Sequence, residues 1–174
     1  MNSPQQLLER FPDRIVTIDS HTAGEPTRLI IGGVPSLPGE TVADKRLYLM
    51  RELDHIRLQL TREPRGHRDM IAALVTEPVT SGADFGLIYM DACRYPYLCG
   101  HATIGAVTTL IKAGMVEAVE PETTVIVDTP SGPMETTARV QDGLVESVAM
   151  QAVPSFVYST DQPLSVPGLG RIQV

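Results

Sequence analysis

Residues 101–113, His-Ala-Thr-Ile-Gly-Ala-Val-Thr-Thr-Leu-Ile-Lys-Ala, constrain the fold most. Ala102, Ala106, Leu110 and Ala113 recur at helical spacing, with Ile104, Val107 and Ile111 beside them. The pattern predicts a helix that is apolar nearly all round, and such a helix has no face to give to water. It must be enclosed, and Gly114 is placed to end it. At 174 residues, with 43% hydrophobic and 20% charged, the chain is large and apolar enough to enclose it.

The enclosing material reads as sheet. Apolar, β-branched runs predict strands over 14–20, 27–31, 71–75, 85–90, 123–127, 133–140 and 144–153, with short extended pieces at 156–158 and 171–174. His21 to Pro26 reads as a polar turn joining the first two strands, and Ser131-Gly132 and Asp142-Gly143 as later turns. One further helix is expected from Thr41, an N-cap with Asp44 at capping-box spacing, to a stop at Pro64. Val42, Leu49, Leu53, Ile56 and Leu60 form its apolar face, and Arg and Glu fill the other. The expected class is α+β, a sheet of short strands wrapped around a central buried helix. Strands and helices do not alternate, which argues against a Rossmann arrangement.

Composition narrows function by exclusion. A net charge of −7 disfavours non-specific binding to nucleic acid or to an anionic membrane. The chain has no Trp and 5% aromatics, too few for base-stacking platforms. Two cysteines, Cys93 and Cys99, cannot make a disulfide framework, so reduced thiols in a cytoplasmic protein are expected. Residues 1–14 read as a flexible lead-in without the apolar run of a signal peptide. The last residues, Arg171 to Val174, stop inside a strand-like pattern, which fits either a truncated chain or a terminal edge strand.

The chemistry-bearing stretch is Cys99-Gly100-His101, where the buried helix begins. A helix N-terminus offers unpaired N–H groups and the positive end of the dipole; it can hold a carboxylate and lower the pKa of a nearby thiol. On that ground Cys99 is expected to react with iodoacetamide faster than Cys93. The plainer reading of Cys99 is a small buried hydrophobe. Cys93 reads as incidental. A metal site from Cys93, Cys99 and His101 does not match the usual ligand spacing, so no metal is expected there. His21 is either a turn residue or a base for Cys99. Arg65, His67 and Asp69 form either an ion-paired loop or a turn locked by hydrogen bonds.

Three ordered segments point further: residues 18–28 (Ile-Asp-Ser-His-Thr-Ala-Gly-Glu-Pro-Thr-Arg), 63–70 (Glu-Pro-Arg-Gly-His-Arg-Asp-Met), and Asp84-Phe85-Gly86 through Leu98-Cys99-Gly100-His101-Ala102-Thr103-Ile104-Gly105. Together they resemble the proline racemase family, from about Ile15 onward. That family comprises proline racemases, 4-hydroxyproline 2-epimerases and trans-3-hydroxy-L-proline dehydratases. The resemblance implies a diaminopimelate-epimerase-like fold of two similar lobes, with substrate held between them and no pyridoxal phosphate or metal. It implies that Cys99 is the first catalytic cysteine and that the backbone groups of Gly100 and His101 hold the substrate carboxylate. Ile71 stands where many relatives carry an aromatic residue lining the pocket, and Leu98 where Met is frequent.

Relatives are about twice this length, and their second lobe carries the second catalytic position in an Asp-Arg-Ser-Pro-Cys or Asp-Arg-Ser-Pro-Thr motif, absent from this sequence. The expectation is therefore an N-terminal lobe over 15–174, inactive alone, with an apolar face that a second lobe or a homodimer partner covers. The leading expected function is cofactor-independent racemisation or epimerisation of proline or hydroxyproline. The alternatives are a trans-3-hydroxy-L-proline dehydratase using the same cysteine, and a non-catalytic half-domain that binds a small acid or a partner chain.

Overall fold

The computed structural model describes residues 10–173. The lead-in expected over 1–14 falls mostly outside them; residues 10–14 are exposed turn and coil. Seven strands form one sheet in sequence order: β1 (Val16–Thr22), β2 (Glu25–Gly32), β3 (Ile71–Thr76), β4 (Phe85–Met90), β5 (Glu122–Thr129), β6 (Gly132–Gln141) and β7 (Leu144–Met150). The β2–β3 and β4–β5 pairs are parallel, and the rest are antiparallel. A hairpin of β8 (Pro163–Val166) and β9 (Gly170–Gln173) stands apart. The helices are α1 (Val42–Glu52), α2 (Asp54–Thr61) and α3 (Gly100–Lys112). None of the helices in the described residues is long and apolar enough to cross a membrane.

The sheet curls. Its outermost strands, β1 and β7, both pack on α3, as do β2 and β3. This is how the sheet meets the need of an all-round apolar helix. Leu29, Ala73, Leu87, Tyr89 and Val125 close on Ala102, Ala106, Val107, Leu110 and Ile111. On the other face of the central strands, Ile30, Ala72, Leu74, Ile88 and Met90 meet Val42, Leu49, Ile56 and Leu60 of α1 and α2. With both faces covered, every residue of β4 is buried, and its sequence is accordingly an apolar run rather than an alternation. β6, covered on one face, alternates buried and exposed residues over much of its length.

Local chemistry sets the ends of the elements. Thr41 caps α1 with the full reciprocal capping box to Asp44. α3 ends as a Schellman motif: Gly114 has φ +69, its N–H bonds to Ile111 O, and the Met115 N–H bonds to Leu110 O. The turn Asp142-Gly143 joins β6 and β7 with positive φ at both residues.

Several expectations need correction. The first turn is Ala23-Gly24 alone, both at positive φ, because His21 and Thr22 pair with Pro26 and Glu25. The β5–β6 turn is centred on Pro130-Ser131, one residue before the expected place, since Thr129 pairs with Gly132. The helix expected from Thr41 to Pro64 breaks at Leu53, where φ −130 and ψ 22 leave the helical region and Asp54 starts a second helix. Its supposed polar face holds two buried cations, Lys45 and Arg57. Lys45 Nζ donates to Glu77 O at 2.6 Å, and Arg57 pairs with Asp54 at 2.7 Å. Ala113 is the exposed C-cap rather than part of the buried stripe. Residues 156–158 form no strand, and Tyr158 is 92% exposed.

Leu110 is 1% exposed at the centre of this enclosure. Leu110→Ala is expected to lower unfolding free energy by about 2–5 kcal/mol, through lost burial plus a cavity. Urea denaturation of the two proteins checks this.

Candidate active site at the start of the buried helix

Cys99 is the N-cap of α3, with extended backbone (φ −145, ψ 106) and no side-chain cap. The first helical bond is Thr103 N–H to Cys99 O at 3.0 Å. The N–H groups of Gly100, His101 and Ala102 precede that bond and have no intrahelical acceptor. No acidic side chain occupies the first turn. The helix therefore presents an unneutralised positive end beside a thiol, an arrangement suited to a carboxylate.

The approach to Cys99 is clamped from both sides. Residues 91–98 are tied to α1 and α2: Tyr95 OH donates to Asp54 Oδ1 at 2.9 Å, Arg46 Nε to Tyr95 O at 2.9 Å, and Arg57 Nη1 to Asp91 O at 3.2 Å. Arg46 also lies over the Tyr97 ring, 4.0 Å from its centroid. Asp91 accepts the Cys93 and Arg94 N–H groups, each at 2.7 Å. On the helix side, Thr103 Oγ1 donates to Cys99 O at 2.9 Å and so accepts from Tyr89 OH, 2.7 Å away. A Cβ on Gly100 would come within 2.9 Å of Met150 Cε, so the flexible Met150 side chain of β7 lies over the helix start.

His101 sits at 3.6 Å, Nδ1 to Cys99 Sγ. Its carbonyl accepts from Thr22 Oγ1 at 2.9 Å, which fixes the β1–β2 hairpin against the first turn of α3. His101 and Ile71, both expected site residues, line one open cleft of about 560 Å³ with Glu25, Arg68, Asp69, Asp91, Cys93 and Arg94. Cys93, set aside from sequence, therefore faces this cleft. His21 does not serve Cys99: it is exposed, and its Nδ1 accepts the Gly24 N–H at 3.2 Å. His67 Nδ1 likewise accepts the Asp69 N–H at 3.2 Å, and the carbonyl of Arg65 accepts from Arg28 at 2.6 Å. Hydrogen bonds thus lock that turn. Among the described residues no three His, Cys, Asp or Glu side chains gather as a metal group.

One expectation reverses. Burial pushes the Cys99 thiol above its ordinary range, and Asp91 and Glu25 add to the shift, while the Ala102 N–H offsets only part of it. Desolvation outweighs the helix end, because the thiolate would lie against the core cluster that holds Tyr89 rather than in water. Cys93 is exposed, so the expected order of alkylation is not supported. Tyr89, Thr103, Met150 and Thr22 were missed from sequence. The one available signal was Thr103, a hydroxyl four residues after Cys99 on an apolar helix.

Comparison with known proteins gives consistent matches. The proline racemase family model matches residues 17–174. A proline racemase from Acetoanaerobium sticklandii is 45% identical over 93% of this chain and 48% of its own. A trans-3-hydroxy-L-proline dehydratase from Bacillus thuringiensis subsp. konkukian is 42% identical over 86% of this chain and 45% of its own. Among solved structures, a hydroxyproline epimerase from Agrobacterium vitis with bound trans-4-OH-L-proline superposes with a TM-score of 0.82 at 34% identity, covering 91% of this chain and 47% of that one. The chain spans about half the length of the curated relatives it matches.

Two measurements follow from this geometry. In a Cys93→Ser background, alkylation of Cys99 by iodoacetamide is expected to rise with pH to a midpoint above that of a free thiol; a lower midpoint contradicts the burial argument. The Arg57 guanidinium, with Tyr95 OH, holds Asp54 below the usual carboxylate range. Its contribution to stability is therefore present above about pH 4, the unfolded value, and lost as pH falls through the lower folded value. The stability gap between wild type and Asp54→Asn, read by urea denaturation, is expected to narrow as pH drops below about 4.

Proposed function

The chain belongs to the proline racemase family, and from that premise we propose that it supplies one wall of an active site that inverts the Cα of proline or hydroxyproline without a cofactor. The observation that carries this reading is the Cys99 thiol at the N-cap of α3, beside the Gly100 and His101 N–H groups, which have no intrahelical acceptor and suit a carboxylate. In this reading the segment is the first lobe of a two-lobe, diaminopimelate-epimerase-like fold. The sheet curled about α3 and the exposed Phe156, Val157 and Tyr158 support that assignment, the last as surface for a second lobe to cover. Two thiols with no disulfide fit a cytoplasmic setting.

The proposed chemistry uses these groups as follows. The substrate carboxylate lies against the Gly100 and His101 N–H groups, and Ile71 forms part of the pocket wall. The Cys99 thiolate removes the Cα proton from one face. A protonated acid on the second lobe delivers a proton to the opposite face, and the stereocentre inverts. Fixed N–H dipoles stabilise the negative charge that develops on the carboxylate as the proton leaves. Two groups in opposite protonation states are required, so one lobe cannot complete the cycle.

The dehydratase relative supports a second reading in which Cys99 removes the same proton and a ring hydroxyl then leaves as water. The group on the second lobe decides between them.

In a protein carrying this lobe and its second lobe, Cys99→Ser is expected to reduce kcat for D/L interconversion by about 10²–10⁴-fold with a smaller change in KM. Retained turnover would remove Cys99 from the reaction. The 174-residue chain alone is expected to give no D-proline from L-proline by chiral chromatography.

A further inference from the structure

Two buried hydroxyls behind Cys99 form a chain that ends on its backbone. Tyr89 on β4 and Thr103 on α3 are each 0% exposed. Tyr89 OH lies 2.7 Å from Thr103 Oγ1, and Thr103 Oγ1 donates to Cys99 O at 2.9 Å. A carbonyl oxygen only accepts, so the Thr103 proton goes to it and the Tyr89 proton goes to Thr103. Burial pushes the Tyr89 hydroxyl well above its ordinary range, so it stays protonated and remains a donor. The Thr103 N–H reaches the same carbonyl oxygen at 3.0 Å. A threonine that bonds the carbonyl four residues back is an ordinary feature of helices. Two things set this one apart: the carbonyl belongs to the N-cap, and the hydroxyl is itself held by a tyrosine from the sheet.

The consequence lies across the peptide bond. The Cys99–Gly100 peptide is planar and trans, so the Gly100 N–H points opposite to the Cys99 C=O. The carbonyl is drawn into the helix, so the N–H is turned out of the helix mouth, where it has no intrahelical acceptor. Helix ends fray, and little else holds this peptide: Cys99 has no side-chain cap, and Gly100 is the residue with the freest backbone. Fixing the oxygen fixes the direction of the N–H. Hydrogen bonds in series also polarise one another, so a carbonyl that accepts from Thr103 makes its own amide a stronger donor. We propose that Tyr89 and Thr103 are positioning residues: they hold the Cys99–Gly100 peptide so that its N–H is aimed at the substrate carboxylate and donates to it more strongly. The inference rests on the proposed seat of that carboxylate at Gly100 and His101, and it names what keeps one of those two donors in place. Both side chains lie behind the peptide, in the core, and act through it.

The test needs neither turnover nor a second lobe, so its outcome is separate from that of the racemisation assay. Cys99 in the 174-residue chain with Cys93→Ser is alkylated by iodoacetate and by iodoacetamide, and the ratio of the two rates is compared with that of a free thiol, 2-mercaptoethanol. Only iodoacetate carries a carboxylate. The ratio therefore reads carboxylate recognition beside the sulfur, while a change in thiolate fraction acts on both reagents and cancels. The parent ratio is expected to exceed that of the free thiol. Thr103→Val is expected to lower it by about fivefold, the effect of one net hydrogen bond, and Thr103→Ser to preserve it. Tyr89→Phe is expected to lower it by less, since Thr103 keeps its own bond to Cys99 O. A variant that merely loosened the fold would speed both reagents together. A raised parent ratio that Thr103→Val and Tyr89→Phe leave unchanged overturns the positioning role and leaves the carboxylate seat standing. A parent ratio no higher than that of the free thiol removes the seat, and the positioning role with it. Should Thr103→Val fail to fold, the double variant Tyr89→Phe/Thr103→Val carries the same test, because it leaves neither hydroxyl without a partner.

Discussion

The enclosure of α3 is the constraint on which the rest of the structure depends. A helix with Ala102, Ala106, Val107, Leu110 and Ile111 buried on several sides cannot lie on one face of a flat sheet. The sheet answers by curling until β1 and β7, its two outermost strands, reach the same helix. Burying side chains such as Val107, Leu110 and Ile111 contributes about 1.5–3 kcal/mol each, against a total stability of about 5–15 kcal/mol. The curl is therefore a condition of folding. It also decides where chemistry can occur. The sides of α3 are covered and its C-terminal carbonyls are capped at Gly114, so the end with unpaired backbone groups is the N-terminus, where Cys99 sits.

That end is held with polar hardware drawn from the opposite layer. The buried Arg57 and the tyrosine hydroxyl of Tyr95 meet on Asp54, and Arg57 reaches on to Asp91 O. The break at Leu53 makes this possible, because it frees Asp54 to begin a new helix with its carboxylate turned to these partners. The loop before Cys99 is thus anchored to α1 and α2, while Tyr89 and Thr103 fix the Cys99 carbonyl from the core side. A thiol placed so firmly pays in solvation: the positive helix end favours the thiolate, and burial disfavours it more strongly.

Much of the fold was legible in the sequence. The strands β3 and β4 read directly as apolar runs, α1 was announced by Thr41 and Asp44, and α3 by its own periodicity and Gly114. Cys99, Gly100, His101 and Ile71 are proposed as site residues through motifs rather than through spacing alone, and the structure sets His101 and Ile71 in one cleft. The break at Leu53 was not, because Leu53 fits the period of one continuous helix and its neighbours Arg57 and Asp54 look like ordinary surface charges. Residues 156–158 failed in the opposite way: they have the side chains of a strand, yet no strand pairs with them in the described residues.

The sequence by itself determined the enclosed helix, the α+β class and the presence of a thiol at a helix mouth. These follow from period, capping and turn chemistry, which act over a few neighbouring residues. Only the tertiary structure decided which way the thiol is shifted, that Cys93 shares the cleft with His101, and that Ser20, Thr27 and His101 carry unpaired polar atoms. Solvation and charge depend on surroundings that the chain brings together, and those of Cys99 include the core cluster, Glu25 on β2 and Asp91 after β4, which are far apart along the chain.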